Sequence, residues 1–112
     1  MSGEKPIYWV GTSYNDLLLF PVSVKQEAGY QSHRVKSGLE PEDWKPFSAI
    51  GAGVKEVRIK EQGGIFRIMY VAKFQNKIYV LHAFQKKTQK TRKQDIDIAK
   101  ARYSAIEQEG SK

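Results

Sequence analysis

Apolar and polar positions along this chain shift between strand-like alternation and helical spacing, and the shifts mark its elements. Ile7 to Val10, between Pro6 and Gly11, is short, aromatic and β-branched, which predicts a first strand. Thr12 or Ser13 can cap a short helix running through Asp16 and Leu17 to Phe20. Pro21 suits the first turn of a second helix, where a missing N–H costs nothing. Val24, Ala28 and Val35 fall on one side of that helix, and Ser37-Gly38 is its expected stop. The two helices meet at Phe20-Pro21 and should form a bent or hairpin-like pair.

Leu39 to Gly53 breaks the pattern, punctuated by Pro41, Pro46, Gly51 and Gly53. Trp44, Phe47 and Ile50 are expected to tuck back onto the core. So long a loop in so small a chain points to binding or to an edge that needs covering. Alternation then returns. Val54 to Lys60 sets Val57 and Ile59 on one face and Glu56, Arg58 and Lys60 on the other. Gln62-Gly63-Gly64 signals a hairpin. Ile65 to Lys73 is almost continuously apolar, as a central strand buried on both faces would be, and Arg67 is its exception. After a turn at Gln75-Asn76, Lys77 to Gln85 forms the last strand. From Thr91 onward Ile96, Ala99, Tyr103 and Ile106 make one apolar stripe on a polar helix, and Gly110 to Lys112 is a frayed tail. The order predicts a single α+β domain over 1–112, with a mostly antiparallel sheet packed on an N-terminal helical pair and a C-terminal helix.

Charge adds a direction to this picture. The net charge is +7, but residues 1–54 carry five Lys/Arg against six Asp/Glu, whereas residues 55–112 carry fourteen against six. Five Lys/Arg crowd into Lys86 to Lys93 with no acid between them. A polyanionic partner for the second half follows, since phosphate neutralisation dominates non-specific nucleic-acid binding. No long apolar run or basic amphipathic anchor supports a membrane surface instead. The chain has no cysteine, which excludes disulfide frameworks, thiol nucleophiles and cysteine-rich zinc sites. The N-terminus has no apolar signal core, so a cytoplasmic location is expected.

Several side chains are candidates for chemistry. Arg58 and Lys60 project from one strand, Arg67 follows across the hairpin, and Lys86, Lys87 and Lys90 follow the last strand. If these strands are neighbours, the cations border one basin, joined by Lys73 and Arg92. The bland reading competes: Arg67 pairs with Glu56 or Glu61 as a structural ion pair, and the lysine run is a solvated loop. His82 shares its face with Ile78, Val80 and Phe84 in this reading, and is either a packing residue or an acid/base group. Tyr70, Tyr79 and Phe84 are mainly core aromatics, though Tyr70 or Phe84 can stack a base if they line the basin. His33 has no role in view. Phosphate-loop, dinucleotide and zinc-protease motifs are absent, and two histidines without cysteine make no metal site.

With these residues in place, the segment VKEVRIKEQGGIFRIMY, followed by YVLHAFQKKTQKT and a helix containing DIAKAR, resembles the core of the phage-derived HigB-like branch of the RelE/ParE toxin superfamily. Phe20-Pro21 and GYQSHRVKSG resemble its helical half, and the likeness spans about residues 7 to 107. The resemblance implies a RelE-like fold and the toxin of a type II toxin–antitoxin pair. It implies a ribosome-dependent mRNA endonuclease that uses no metal or other cofactor and promotes 2′-OH attack on the adjacent phosphate. The implied partners are a helix-turn-helix antitoxin, the ribosome with its mRNA, and operator DNA through the antitoxin complex, with no membrane. By position, Arg67 and Lys86 or Lys87 match the family's phosphate-clamping cations, Arg58 and Lys60 its RNA-positioning pair, and His82 is a candidate acid or base. RelE places a tyrosine a few residues past the last-strand cation, whereas this chain reads Thr91-Arg92-Lys93-Gln94; another aromatic such as Tyr70 would have to take its place. Loss of Arg67 is expected to abolish cleavage and leave the fold intact. The alternatives are a ParE-like gyrase inhibitor without nuclease activity and an inactive homologue that binds antitoxin.

Overall fold

A computed structural model describes residues 5–61, 63–74, 76–86 and 90–110. Its elements in chain order are β1 (Ile7–Trp9), α1 (Ser13–Leu18), α2 (Val22–Lys36), β2 (Trp44–Pro46), β3 (Val54–Glu61), β4 (Gly64–Val71), β5 (Ile78–Lys86) and α3 (Lys93–Gly110). They form a five-stranded sheet in the order β1-β5-β4-β3-β2. β1 runs parallel to β5, and the other neighbours are antiparallel. The fold is thus the expected α+β arrangement, with an N-terminal helical pair and a C-terminal helix on a mostly antiparallel sheet.

Each helix boundary has a local cause. Thr12 occupies the N-cap of α1, yet its hydroxyl donates to Asp16 Oδ2 at 2.9 Å and accepts from Arg102 Nη2 at 3.1 Å. It therefore ties α1 to α3 instead of capping a backbone N–H. Pro21 is the N-cap of α2 and starts it without needing a donor. Gly38, at φ +88°, ends α2: its N–H reaches the Val35 carbonyl and the Leu39 N–H that of Arg34, the paired bonds of a Schellman stop.

Two cores sandwich the sheet. On one face Val24, Ala28 and Val35 of α2, with Leu17 and Phe20, pack against Val57, Ile59, Phe66, Ile68 and Tyr70. On the other, Ala99, Tyr103 and Ile106 of α3 cover Met69, Val71 and Leu81. β4 lies in the middle, with its residues from Phe66 onward buried, which explains its nearly continuous apolar run. Burial of each such aliphatic side chain contributes about 1.5–3 kcal/mol.

Two features differ from expectation. The irregular stretch after α2 contains β2, an edge strand whose Trp44, Lys45 and Pro46 pair with Val57, Glu56 and Lys55. Gln31 holds the approach to it, its side chain accepting the Glu42 N–H at 2.9 Å and donating to Glu42 Oε1 at 2.9 Å. The second is a bulge in β5. Tyr70 pairs with Val80 but Met69 pairs with His82, so Leu81 has no opposite number. Ile78 and Val80 face the helical pair, whereas Leu81 and Phe84 face α3. The expectation that Phe84 shares a face with Ile78 and Val80 is corrected by this extra residue.

Candidate nucleic-acid interface

Arg67 sits on the α3 face of β4, directly opposite Arg58 on β3 and Phe84 on β5. A guanidinium in so apolar a strand needs a partner, and it has one. Arg67 Nη1 donates to Glu56 Oε1, in a pair where Arg67 is 5% exposed and Glu56 is fully buried. Lys45 Nζ approaches the same carboxylate oxygen at 3.8 Å. Glu56 Oε2 and Arg67 Nε find no partner among the described residues. Lys86, two positions after Phe84, is also buried. Its pKa lies below the usual lysine value, because burial disfavours the ammonium and the Arg67 charge adds repulsion, against the pull of Glu56. The result is a cationic depression of about 390 Å³, lined by Lys45, Phe47, Lys86, Lys90, Thr91 and Ile96, beside the Arg67–Glu56 pair.

The sequence offers Glu56 as an ion-pair partner of Arg67 but gives no sign that it is buried, and it gives no sign of Lys45. Glu56 alternates with Arg58 and Lys60 and so reads as part of a solvated face. Its burial follows from Lys45, across β2, and Arg67, one diagonal step away, neither of which is near it in the chain. Lys45 had no signal of its own, since its strand is three residues long and ends on a proline.

The other candidates are dispersed. Arg58 turns over the β3 edge and binds Asp43 Oδ1 through Nε at 3.0 Å and Nη2 at 2.7 Å. With Lys60 it lines a separate groove against α2, where Glu27, Glu42 and Glu61 are also present. Lys73 lies past the far end of β4, 5.1 Å from the Phe74 ring centre and 6.0 Å from that of Tyr103. Tyr70 is corrected as a base-stacking residue: it faces the helical pair, buried in the first core. Burial raises the pKa of its phenol, with a further contribution from Glu40. Lys87, expected to clamp phosphate, lies outside the described residues. Lys90 and Arg92 are exposed near the start of α3.

His82 is buried and has a partner that sequence did not suggest. Its Nε2 lies 2.7 Å from Asp95 Oδ1, and Arg92 Nε donates to Asp95 Oδ2 at 3.2 Å. The imidazole stacks on Phe84 with ring centres 4.9 Å apart, leaving Phe84 only 8% exposed. His82 and Asp95 border a groove with Leu19 and Phe20, not the lysine-lined depression. Among the described residues no three His, Cys, Asp or Glu side chains form a metal-holding group. No helix among them is long and apolar enough to cross a membrane.

A small mostly antiparallel sheet, helices on both faces and a cationic depression define the class of protein: a RelE-like α+β domain. Over residues 15–104 the chain matches the family described as Phage derived protein Gp49-like, and it belongs to that family. The family is part of the RelE/HigB-like toxins in general, which gives this chain a general toxin–antitoxin reading with an antitoxin as partner. No curated protein matches the chain.

Proposed function

We propose that the protein is a HigB-like toxin that cleaves mRNA on the ribosome in the cytoplasm, restrained by a helix-turn-helix antitoxin that also carries the pair to operator DNA. The observation that supports this reading is the convergence of Lys45, Arg67 and Lys86 around one buried carboxylate on an open sheet face. Attack of a ribose 2′-OH on the next phosphorus builds negative charge on the phosphoryl oxygens, and fixed cations stabilise that charge in a partly desolvated site. In this reading Glu56 orients Arg67, and Arg67 and Lys45 stabilise the phosphorane. Lys86, whose depressed pKa makes it a readier proton donor than an ordinary lysine, protonates the departing 5′-oxygen, while the proton of the attacking 2′-OH passes to solvent water. The products are a 2′,3′-cyclic phosphate and a 5′-hydroxyl end.

A second reading is favoured by the same pair. Glu56 neutralises Arg67, so the domain can be a ParE-like inhibitor of gyrase or an inactive homologue that only binds antitoxin. Primer extension on cellular mRNA after brief induction separates the two, comparing wild type with Lys45→Ala and Lys86→Ala. Cuts confined to translated messages, and weakened about 10²-fold or more by either change, support the nuclease. Growth arrest without cuts supports the second reading.

A further inference from the structure

We infer that Phe47 is the stacking platform for one nucleobase of a single-stranded RNA, with Lys45, Lys86 and Lys90 holding the flanking phosphates. The inference deepens the nuclease reading by naming a binding subsite, but it can stand without cleavage. Phe47 follows the edge strand β2 and is half-buried. It packs against the core that contains Ile50 and Tyr103, while also bordering the lysine-lined depression. Among the described residues no acidic side chain lines this depression, and its volume falls within the range of about 300–1,000 Å³ usual for ligand sites. An aromatic surface among cations suits a nucleotide, because every base has a π-face and every linkage a negative charge. Lys45 Nζ lies over the Phe47 ring, 5.8 Å from its centre, and an incoming base takes its place on the ring as the ammonium swings aside to the adjoining phosphate.

The platform is held rigidly. The Phe47 N–H donates to the Val54 carbonyl at 2.9 Å, and the Phe47 carbonyl accepts the Ile50 N–H at 3.1 Å. The Tyr103 hydroxyl donates to the Ala52 carbonyl at 2.9 Å, and its ring lies over Gly51. A Cβ at Gly51 would meet that ring at 2.5 Å, so glycine is what lets the loop lie flat on α3. A fixed ring loses little entropy on stacking, so more of the contact energy is kept as affinity.

The test uses the full chain and a short 2′-O-methyl oligoribonucleotide, which has no 2′-OH and cannot be cleaved by this route. The comparison ligand is the same backbone with abasic sugars. Phe47→Leu should weaken binding of the intact strand by roughly 5- to 150-fold, the equivalent of one lost stacked base, and leave the abasic strand unchanged. Phe47→Trp should keep the affinity, and its added fluorescence should be quenched by the intact strand alone. Equal losses on both strands would make the depression a charge site only and overturn the inference. So would unchanged binding by Phe47→Leu, or no binding of the intact strand by wild type. If Phe47→Leu fails to fold, the quenching of Phe47→Trp decides. Absence of mRNA cuts in cells removes the nuclease reading without touching this result.

Discussion

Replacement of Arg67 by alanine should unfold this protein more readily before it reveals anything about catalysis. Glu56 is fully buried, and its carboxylate depends on the Arg67 guanidinium and, more distantly, on the half-exposed Lys45 ammonium. Removing one member of a buried ion pair leaves an uncompensated charge and costs about 3–5 kcal/mol. For a chain of 112 residues that corresponds to a fall in Tm of roughly 10–20 °C. The expectation of an intact fold in that variant is therefore revised: Arg67 is a structural element as well as a candidate for charge stabilisation. Replacing both partners, Glu56→Leu with Arg67→Met, should recover most of the loss, because the site then holds no charge at all. Thermal and urea unfolding of the two single variants and the double variant give the coupling energy directly. A loss below about 1 kcal/mol for Arg67→Ala would refute the reasoning, since only a solvated pair costs so little. In that case the guanidinium would be open to RNA, and cleavage by the variant could be read without a folding correction.

Lys86→Met should be more stable than wild type at neutral pH, because burial and Arg67 disfavour the Lys86 charge in the folded state. The sign follows from linkage: with the folded pKa below the unfolded value, the unfolded chain binds more protons in between, so wild-type stability rises with pH across that window. The gap between the two proteins should therefore narrow as pH climbs toward 10.5, the ordinary lysine value, and a Tm series over pH checks it. Asp95→Asn removes the charge that holds His82 and Arg92, and should cost about 1–3 kcal/mol. Hydrogen exchange should show the first turn of α3 losing protection before the sheet does. Gly51→Ala, by pushing Tyr103 off the loop, should cost about 1–3 kcal/mol and weaken binding of the intact 2′-O-methyl strand.

Features set by neighbours in the chain were legible in the sequence, and those set across the sheet were not. The stripe of Ala99, Tyr103 and Ile106 is buried on α3, and β3 and β4 pair as an antiparallel hairpin up to Glu61 opposite Gly64, as the glycine signal in the sequence requires. Ser37-Gly38 stops α2 for the same local reason. β2 escaped because three residues are too few to show alternation. Tyr70 was misplaced because a strand buried on both faces has no polar face to fix which way its even positions point. Glu56 was misjudged for the opposite reason, since its strand alternates cleanly but α3 and β2 shelter only part of the polar face. Arg67 is anomalous within its apolar strand from sequence alone, and a structural ion pair with Glu56 is one of the two outcomes that the sequence allows.

The unpaired Leu81 gives β5 two reading frames. Before it, even-numbered residues point to the helical pair; after it, even-numbered residues point to the lysines and α3. Lys86 reaches the depression only because of that change of frame; with unbroken alternation from Ile78 it would lie under the N-terminal helices. Deleting Leu81 itself would keep both frames in phase and remove only its buried side chain. Deleting any residue from Ala83 to Gln85 would move Lys86 to the opposite face and bring the next residue in the sequence, Lys87, into its register position. Length changes in the second half of this strand thus have consequences that substitutions do not.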